Sequence, residues 1–331
     1  MKTIAILGAG TAGTALSQVA AENGHSVHLW SIETAVLEEI QGRRANSKYL
    51  PDIGLHERIK PCWTLVEALA GVEIVIVTVP THAVRAVAGA AAPYLVGGPV
   101  VLNVAKGLEE GTDLRMSQVL AQELGTSAAA ARIASMGGPA LATEFVRGVP
   151  TAVIVASEPL AAAMAVQGVL QNEHFKVEAT LDMVGVELGA TLKNPYAIAL
   201  GMCDGLGYGA NTKSFIATLT LGEMEALITA LGGQLRTVYG LAGLGDLLTT
   251  GYSPLSRNHT LGERLGSGGD WREFLQTHTV EGVAACRAGR DLARCHGIAT
   301  PLLDTVHDVL FGGKPAAQMM RLFLKKFWYG S

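Results

Sequence analysis

The N-terminal stretch Thr3–Ala21, TIAILGAGTAGTALSQVAA, decides the fold. Thr3–Leu7 is a short β-branched run that stops at Gly8, and Thr14–Ala21 reads as a helix. Between them Gly8-Ala9-Gly10-Thr11-Ala12-Gly13 follows the pattern Gly-x-Gly-x-x-Gly. In a chain with 40 glycines that spacing alone says little, but between a strand and a helix it has a physical meaning. Gly8 permits a tight turn, Gly10 lets the backbone approach a pyrophosphate, and Gly13 allows close packing of helix on strand. The helix start adds free N–H groups and a partial positive charge. Gly8, Gly10, Thr11, Ala12 and Gly13 are therefore expected to bind a dinucleotide.

The pattern continues outward. Ser26–Trp30 reads as the second strand, where an NAD-specific site commonly ends on an acidic residue that holds the ribose hydroxyls. Here Trp30 and Ser31 occupy that end and Glu33 follows late. Ala35–Gln41 reads as a helix, and Arg43, Arg44 and Lys48 follow in a basic loop. Glu73–Val79 and Pro99–Val104 are near-continuous apolar runs, as in strands buried on both faces. Arg132–Met136 and Thr151–Ala156 are further strands, and Thr81–Ala92 is a helix. This alternation implies an open, mostly parallel, doubly wound α/β sheet of the Rossmann type over residues 1–180. From 181 to 331 the sequence reads as helix and loop, an all-α C-terminal domain.

Composition narrows the function. A chain of 331 residues suggests two domains, and 49% hydrophobic against 16% charged residues fits a compact enzyme. A net charge of −4 gives no case for nucleic acid or an anionic membrane. Cys62, Cys203, Cys286 and Cys295 form no C-x-x-C pair, so reduced thiols in a cytoplasmic protein are expected. The nine histidines make no cluster at metal-ligand spacing, and no metal is expected. Ile4–Leu7 is too short for a signal-peptide core, and no uncharged apolar run reaches membrane-spanning length. A homodimer is compatible with this reading.

The second informative stretch is Glu187–Lys213, ELGATLKNPYAIALGMCDGLGYGANTK. It is apolar on more than one side, so it should lie buried inside a domain. Lys193 then sits where an unpaired ammonium is costly. Pro195 cannot donate to the carbonyl of Thr191 and should bend or break the helix just past the lysine. Lys106 directly follows a buried strand, where side chains point into the ligand crevice of such sheets. Two polar loops stand out further on: Leu244–Thr250, which carries Asp246 and Thr250, and Ser256-Arg257-Asn258, whose Arg suits bidentate phosphate contact. Three cations and one acid around a dinucleotide crevice describe a small phosphorylated substrate.

The order GAGTAGTAL, NVAKGLE, GGPALA, LKN with GANTKS, GLGDLLTT, SRN and VEGV covers essentially the whole chain. It resembles the soluble, bacterial-type NAD(P)-dependent sn-glycerol-3-phosphate dehydrogenases. The resemblance implies reversible reduction of dihydroxyacetone phosphate to sn-glycerol 3-phosphate, feeding glycerophospholipid synthesis. It implies catalytic roles for Lys193, Lys106 and Asp246, and substrate contacts from Lys106, Gly138, Ala140, Asn194, Asp246, Thr250, Ser256, Arg257 and Asn258. For the cofactor it adds Trp30, Lys48, Lys106, Ala142, Arg257 and Glu281 to the glycine turn. The chain departs from the pattern at Gly137 and Ala140, where the family usually carries hydroxyls, at Pro195 after the Lys-Asn pair, and at Ile32, where a basic residue is often found. Ala140 is the best argument for the alternative, a related two-domain dehydrogenase acting on another phosphorylated or hydroxy-acid substrate. Ile32 and Glu33 tilt the cofactor modestly to NAD over NADP.

Overall fold

The computed structural model describes residues 1–126, 129 and 132–329. The chain divides into two compact units, Met1–Ala105 with Leu114–Met183, and Lys106–Asp113 with Val184–Ser331. The sequence reading sets one boundary at about residue 180, whereas the segment Lys106–Asp113 segregates with the second unit.

The first unit is an eight-stranded sheet: β1 (Thr3–Leu7), β2 (Ser26–Trp30), β3 (Ile59–Cys62), β4 (Ile74–Val77), β5 (Val100–Asn103), β6 (Ile133–Gly137), β7 (Thr151–Ser157) and β8 (Phe175–Thr180). Their order is β3-β2-β1-β4-β5-β6-β7-β8, parallel throughout except where β6 meets β7. The order reverses beside β1, which pairs with β2 on one side and β4 on the other. Such a reversal is where open α/β sheets bind ligands. Strand periodicity splits β1 between two cores: Ile4 and Ile6 join one layer, Ala5 and Leu7 the other. Among the described residues, seven α-helices flank the sheet: α1 (Thr11–Glu22), α2 (Thr34–Arg43), α3 (Leu65–Leu69), α4 (Thr81–Ala91), α5 (Met116–Leu124), α6 (Ala142–Phe145) and α7 (Leu160–Leu170).

The second unit is helical: α8 (Met183–Gly205), α9 (Ala210–Ala230), α10 (Leu235–Val238), α11 (Asp246–Gly251), α12 (Arg257–Ser267), α13 (Trp271–Thr277), α14 (Glu281–Cys295), α15 (Pro301–Leu310) and α16 (Ala316–Tyr329). Its centre is α8, buried from Gly185 to Cys203. The helix does not break at Pro195 but runs through it as one element of 23 residues. Tight packing on every side compensates the missing hydrogen bond that isolated sequence reasoning weighs most heavily.

Three glycines, Gly201 and Gly205 on α8 and Gly262 on α12, let the two helices cross at backbone distance. A Cβ on Gly201 would stand 2.1 Å from the His259 carbonyl, and one on Gly205 2.1 Å from that of Glu263. From the other side, a Cβ on Gly262 would stand 2.1 Å from the Ile198 carbonyl. No described helix is long and apolar enough to cross a membrane.

Gly262→Ala separates two opposing effects. Alanine favours a helix by about 1 kcal/mol over glycine, whereas overpacking against backbone costs about 1–3 kcal/mol, occasionally more. Urea unfolding of Gly262→Ala should show a clear net loss. Gly222→Ala on α9, where a Cβ meets nothing within 4 Å, should instead be neutral or stabilising.

Candidate active site

Each unit brings together its own share of the expected residues. In the sheet unit the chain leaves β1 through Gly8, whose φ of +120° suits only glycine. Gly8 is clamped: its N–H donates to the Trp30 carbonyl at 2.8 Å, and its carbonyl accepts from Thr78 Oγ1 at 2.8 Å. A Cβ on Gly13 would lie 1.9 Å from the Gly8 carbonyl, so helix and turn touch through backbone. Gly10 is the opposite case, because a Cβ there would meet nothing within 4 Å. Gly10 also starts α1 with no side-chain cap, and Thr11 and Ala12 are half-buried in the first turn. An open backbone approach ending on an uncapped helix start fits a dinucleotide pyrophosphate.

Around this turn, Trp30 is buried at the end of β2. Gly138 has a φ of +116°, and Ala140 and Ala142 pack against the core beside α6. Lys48, expected on the cofactor, is exposed and bonded to Glu33. Glu33 also accepts from the Tyr49 hydroxyl, and the two donors hold its carboxyl below the usual range. Ile32 beside it is 82% exposed. Sequence reasoning missed Tyr49; an aromatic beside a basic loop residue is weak as a signal.

In the helical unit a single buried carboxylate organises the polar groups. Asp246 is 2% exposed. Its Oδ2 accepts from Lys106 Nζ at 2.6 Å and its Oδ1 from Lys193 Nζ at 2.9 Å. Lys193 also donates to the Thr250 hydroxyl, which lies 3.3 Å from Asp246 Oδ1. Burial pushes the Lys193 ammonium down, Asp246 opposes that, Lys106 adds to it, and the result is lowered to about 8. Glu281, expected on the cofactor, is near enough to raise it slightly. Burial would push Asp246 up, but the two ammoniums outweigh it and hold the carboxyl below the ordinary range.

The two polar loops of the sequence reading are helical instead. Leu241–Gly245 forms a π turn, with the Gly245 N–H on the Gly240 carbonyl at 3.0 Å, and runs directly into α11. Ser256 is the N-cap of α12, accepting from the His259 N–H. Gly240, Gly243, Gly245 and Gly251 hide the first helix, and a cap residue beside an Arg hides the second. Asn258 is likewise used internally: its Nδ2 donates to Asn194 Oδ1 at 2.9 Å and its Oδ1 accepts from the Gly282 N–H at 2.8 Å. It thus ties α8, α12 and α14 together. Arg257, between them, remains exposed. A further cluster escaped the sequence reading: Asp204 on α8 accepts from Lys213 at 2.7 Å and pairs with His259 Nε2 at 2.7 Å. Among the described residues, no group of three His, Cys, Asp or Glu side chains could hold a metal ion.

Comparison with known proteins gives a consistent family. The N-terminal part of NAD-dependent glycerol-3-phosphate dehydrogenase matches residues 3–163, and its C-terminal part residues 182–321. A glycerol-3-phosphate dehydrogenase [NAD(P)+] of Moorella thermoacetica is 40% identical over 98% of this chain and 96% of its own. The enzyme of that name from Geobacillus kaustophilus is 42% identical over 95% and 92%. The crystal structure of glycerol-3-phosphate dehydrogenase from Coxiella burnetii superposes with a TM-score of 0.91 at 36% identity, covering 98% of this chain and 99% of that one.

Asp246→Asn tests the carboxylate. Leaving the buried Lys193 ammonium without its counter-ion should cost about 3–5 kcal/mol at pH 7. A lysine lowered from 10.5 to about 8 binds its proton more tightly when unfolded, so stability rises with pH between those values. Without Asp246 the folded-state value falls further, and urea unfolding at pH 7 and pH 9 should show a larger recovery in the variant than in the wild type.

Proposed function

The chain belongs to the NAD-dependent glycerol-3-phosphate dehydrogenase family, and from that premise we propose that it interconverts dihydroxyacetone phosphate and sn-glycerol 3-phosphate. NAD or NADP, when bound, supplies the hydride chemistry at the carbon. The observation that carries the proposal is the pair of lysines on one buried carboxylate, since the substrate oxygen must gain or lose a proton as the carbon is reduced or oxidised.

Lys193 is the acid and base in this reading. Two of its N–H bonds go to Asp246 and Thr250, which leaves the third for the substrate oxygen. A value of about 8 places it where it can give and take a proton near neutrality. Asp246 positions it and limits how far burial depresses it. Lys106, half-buried on the same carboxylate, stabilises negative charge that develops on the oxygen. Arg257 anchors the phosphate, which lets remote binding energy orient the reacting carbon. Ser256 and Asn258 hold the start of α12 from which Arg257 projects. The sheet unit, residues 1–180 in the sequence reading, takes the dinucleotide; the helical unit, with Lys106–Asp113, takes the substrate. A cytoplasmic homodimer that supplies glycerophospholipid synthesis completes the proposal.

The cofactor reading leans to NAD. A 2′-phosphate needs a cation at the end of β2, where Ile32 stands, and Lys48 is already engaged by Glu33.

A substrate panel followed by nicotinamide absorbance tests the proposal. Dihydroxyacetone phosphate should be reduced far faster than dihydroxyacetone, and equal rates would refute the phosphate reading. In the same assay NADH should exceed NADPH in kcat/KM, and an NADPH advantage of about tenfold, roughly 1.4 kcal/mol, would reverse the cofactor reading. Lys193→Met should lower turnover by roughly a hundred- to ten-thousand-fold with NADH binding retained. In the wild type, ketone reduction needs the protonated lysine, so its rate should fall as pH rises through about 8, while alcohol oxidation should rise.

A further inference from the structure

We propose that Asn46, a residue outside the glycine motif, positions the dinucleotide-binding turn by fixing the orientation of a single peptide group. The inference rests on the dinucleotide reading above and concerns the sheet unit alone.

Asn46 is fully buried. Its Nδ2 donates to the Ala9 carbonyl at 2.9 Å and to Thr14 Oγ1 at 2.8 Å. Thr14 Oγ1, also fully buried, donates in turn to the same Ala9 carbonyl at 3.2 Å. Both acceptor positions of that carbonyl are thereby filled from the protein interior. In a trans peptide the C=O and the following N–H point in opposite directions. Drawing the Ala9 carbonyl inward therefore aims the Gly10 N–H outward, on the turn where Gly10 leaves open space. The Gly10 carbonyl is fixed independently, because it accepts from the Thr14 N–H at 2.9 Å as the first turn of α1. The peptide between Ala9 and Gly10 is the part of the turn that the helix does not fix, and Asn46 with Thr14 fixes it.

Asn46 is itself held rigidly. Its main-chain carbonyl accepts from the Tyr49 N–H at 3.2 Å and the Leu50 N–H at 2.8 Å, and Leu50 is in the core. The same short loop binds Glu33 through Lys48 and Tyr49. One loop thus braces both the turn expected to face the pyrophosphate and the carboxylate expected near the ribose. A donor aimed before the ligand arrives costs nothing to orient on binding, which is the advantage of preorganisation. An Asn serves better than an Asp here, because a carboxylate would repel the Ala9 carbonyl and any phosphate beside it.

The test measures NADH binding by fluorescence titration of the wild type, Asn46→Leu, Thr14→Val and Thr14→Ser, with the Gly10 amide followed by NMR. The wild type should show a large Gly10 shift on NADH addition. Asn46→Leu and Thr14→Val should weaken NADH binding by about tenfold, the scale of one or two lost hydrogen bonds, and lose most of that shift. Thr14→Ser, which keeps the hydroxyl, should bind like the wild type. In steady state the KM for NADH should rise by more than kcat falls, while the KM for dihydroxyacetone phosphate stays level. Thr14→Val carries the test if Asn46→Leu fails to fold. Unchanged NADH affinity in a folded variant overturns the role of Asn46 and leaves the enzyme assignment standing. Absence of NADH binding by the wild type overturns the dinucleotide reading itself.

Discussion

An ammonium inside an apolar helix is the constraint on which the helical unit is built. Lys193 lies midway along α8, where burial would strip it of its charge unless a counter-ion were supplied. Asp246 supplies it, and the π turn at Leu241–Gly245 sets the start of α11 so that the carboxylate and Thr250 both reach the lysine. A carboxylate buried for one lysine would carry its own desolvation cost, and Lys106 as a second donor offsets it. The three charges sum to one net positive, which suits the anionic substrate and developing oxyanion of the proposed reaction.

Much of this was legible in the sequence because the residues that carry it violate local expectation. A lysine in an apolar helix, glycines between a strand and a helix, and an acid in a glycine-rich run each stand out against their surroundings. β1 and β2 were readable to the residue because β1 is an apolar run cut off at Gly8 and β2 alternates half-buried Ser26 and His28 with buried Val27 and Leu29. β3 and β8 were not, and the sheet order explains why: they are its two edges. Ile59-Lys60-Pro61-Cys62 carries a lysine and a proline that only an edge tolerates, and Phe175–Thr180 alternates buried and exposed residues. Neither offers the apolar run that marks a buried strand.

The helical unit was less legible because its glycines do a different job from those of the turn. Gly201, Gly205 and Gly262 lower helix propensity locally, which makes α8 and α12 look weaker than they are. Their value lies in the crossing, and that is a property of two segments about sixty residues apart. Ser256 and Asn258 show the same limit. As a row of hydrogen-bonding residues they suggest a ligand, and the structure adds a second task that the row does not announce: one caps α12 and the other joins Asn194 to Gly282. Only the paired geometry reveals that these side chains build the frame from which Arg257 extends.

The placement of Lys106–Asp113 with the helical unit bears on how such chains can be recombined. The polypeptide passes between its units three times, after Ala105, Asp113 and Met183. A chimera joined once near residue 183 would therefore take Asp246 and Lys193 from one parent and Lys106 from the other. Modular exchange between relatives of this architecture respects the charge cluster only when the short excursion travels with the helices, so the inheritable module is discontinuous in sequence.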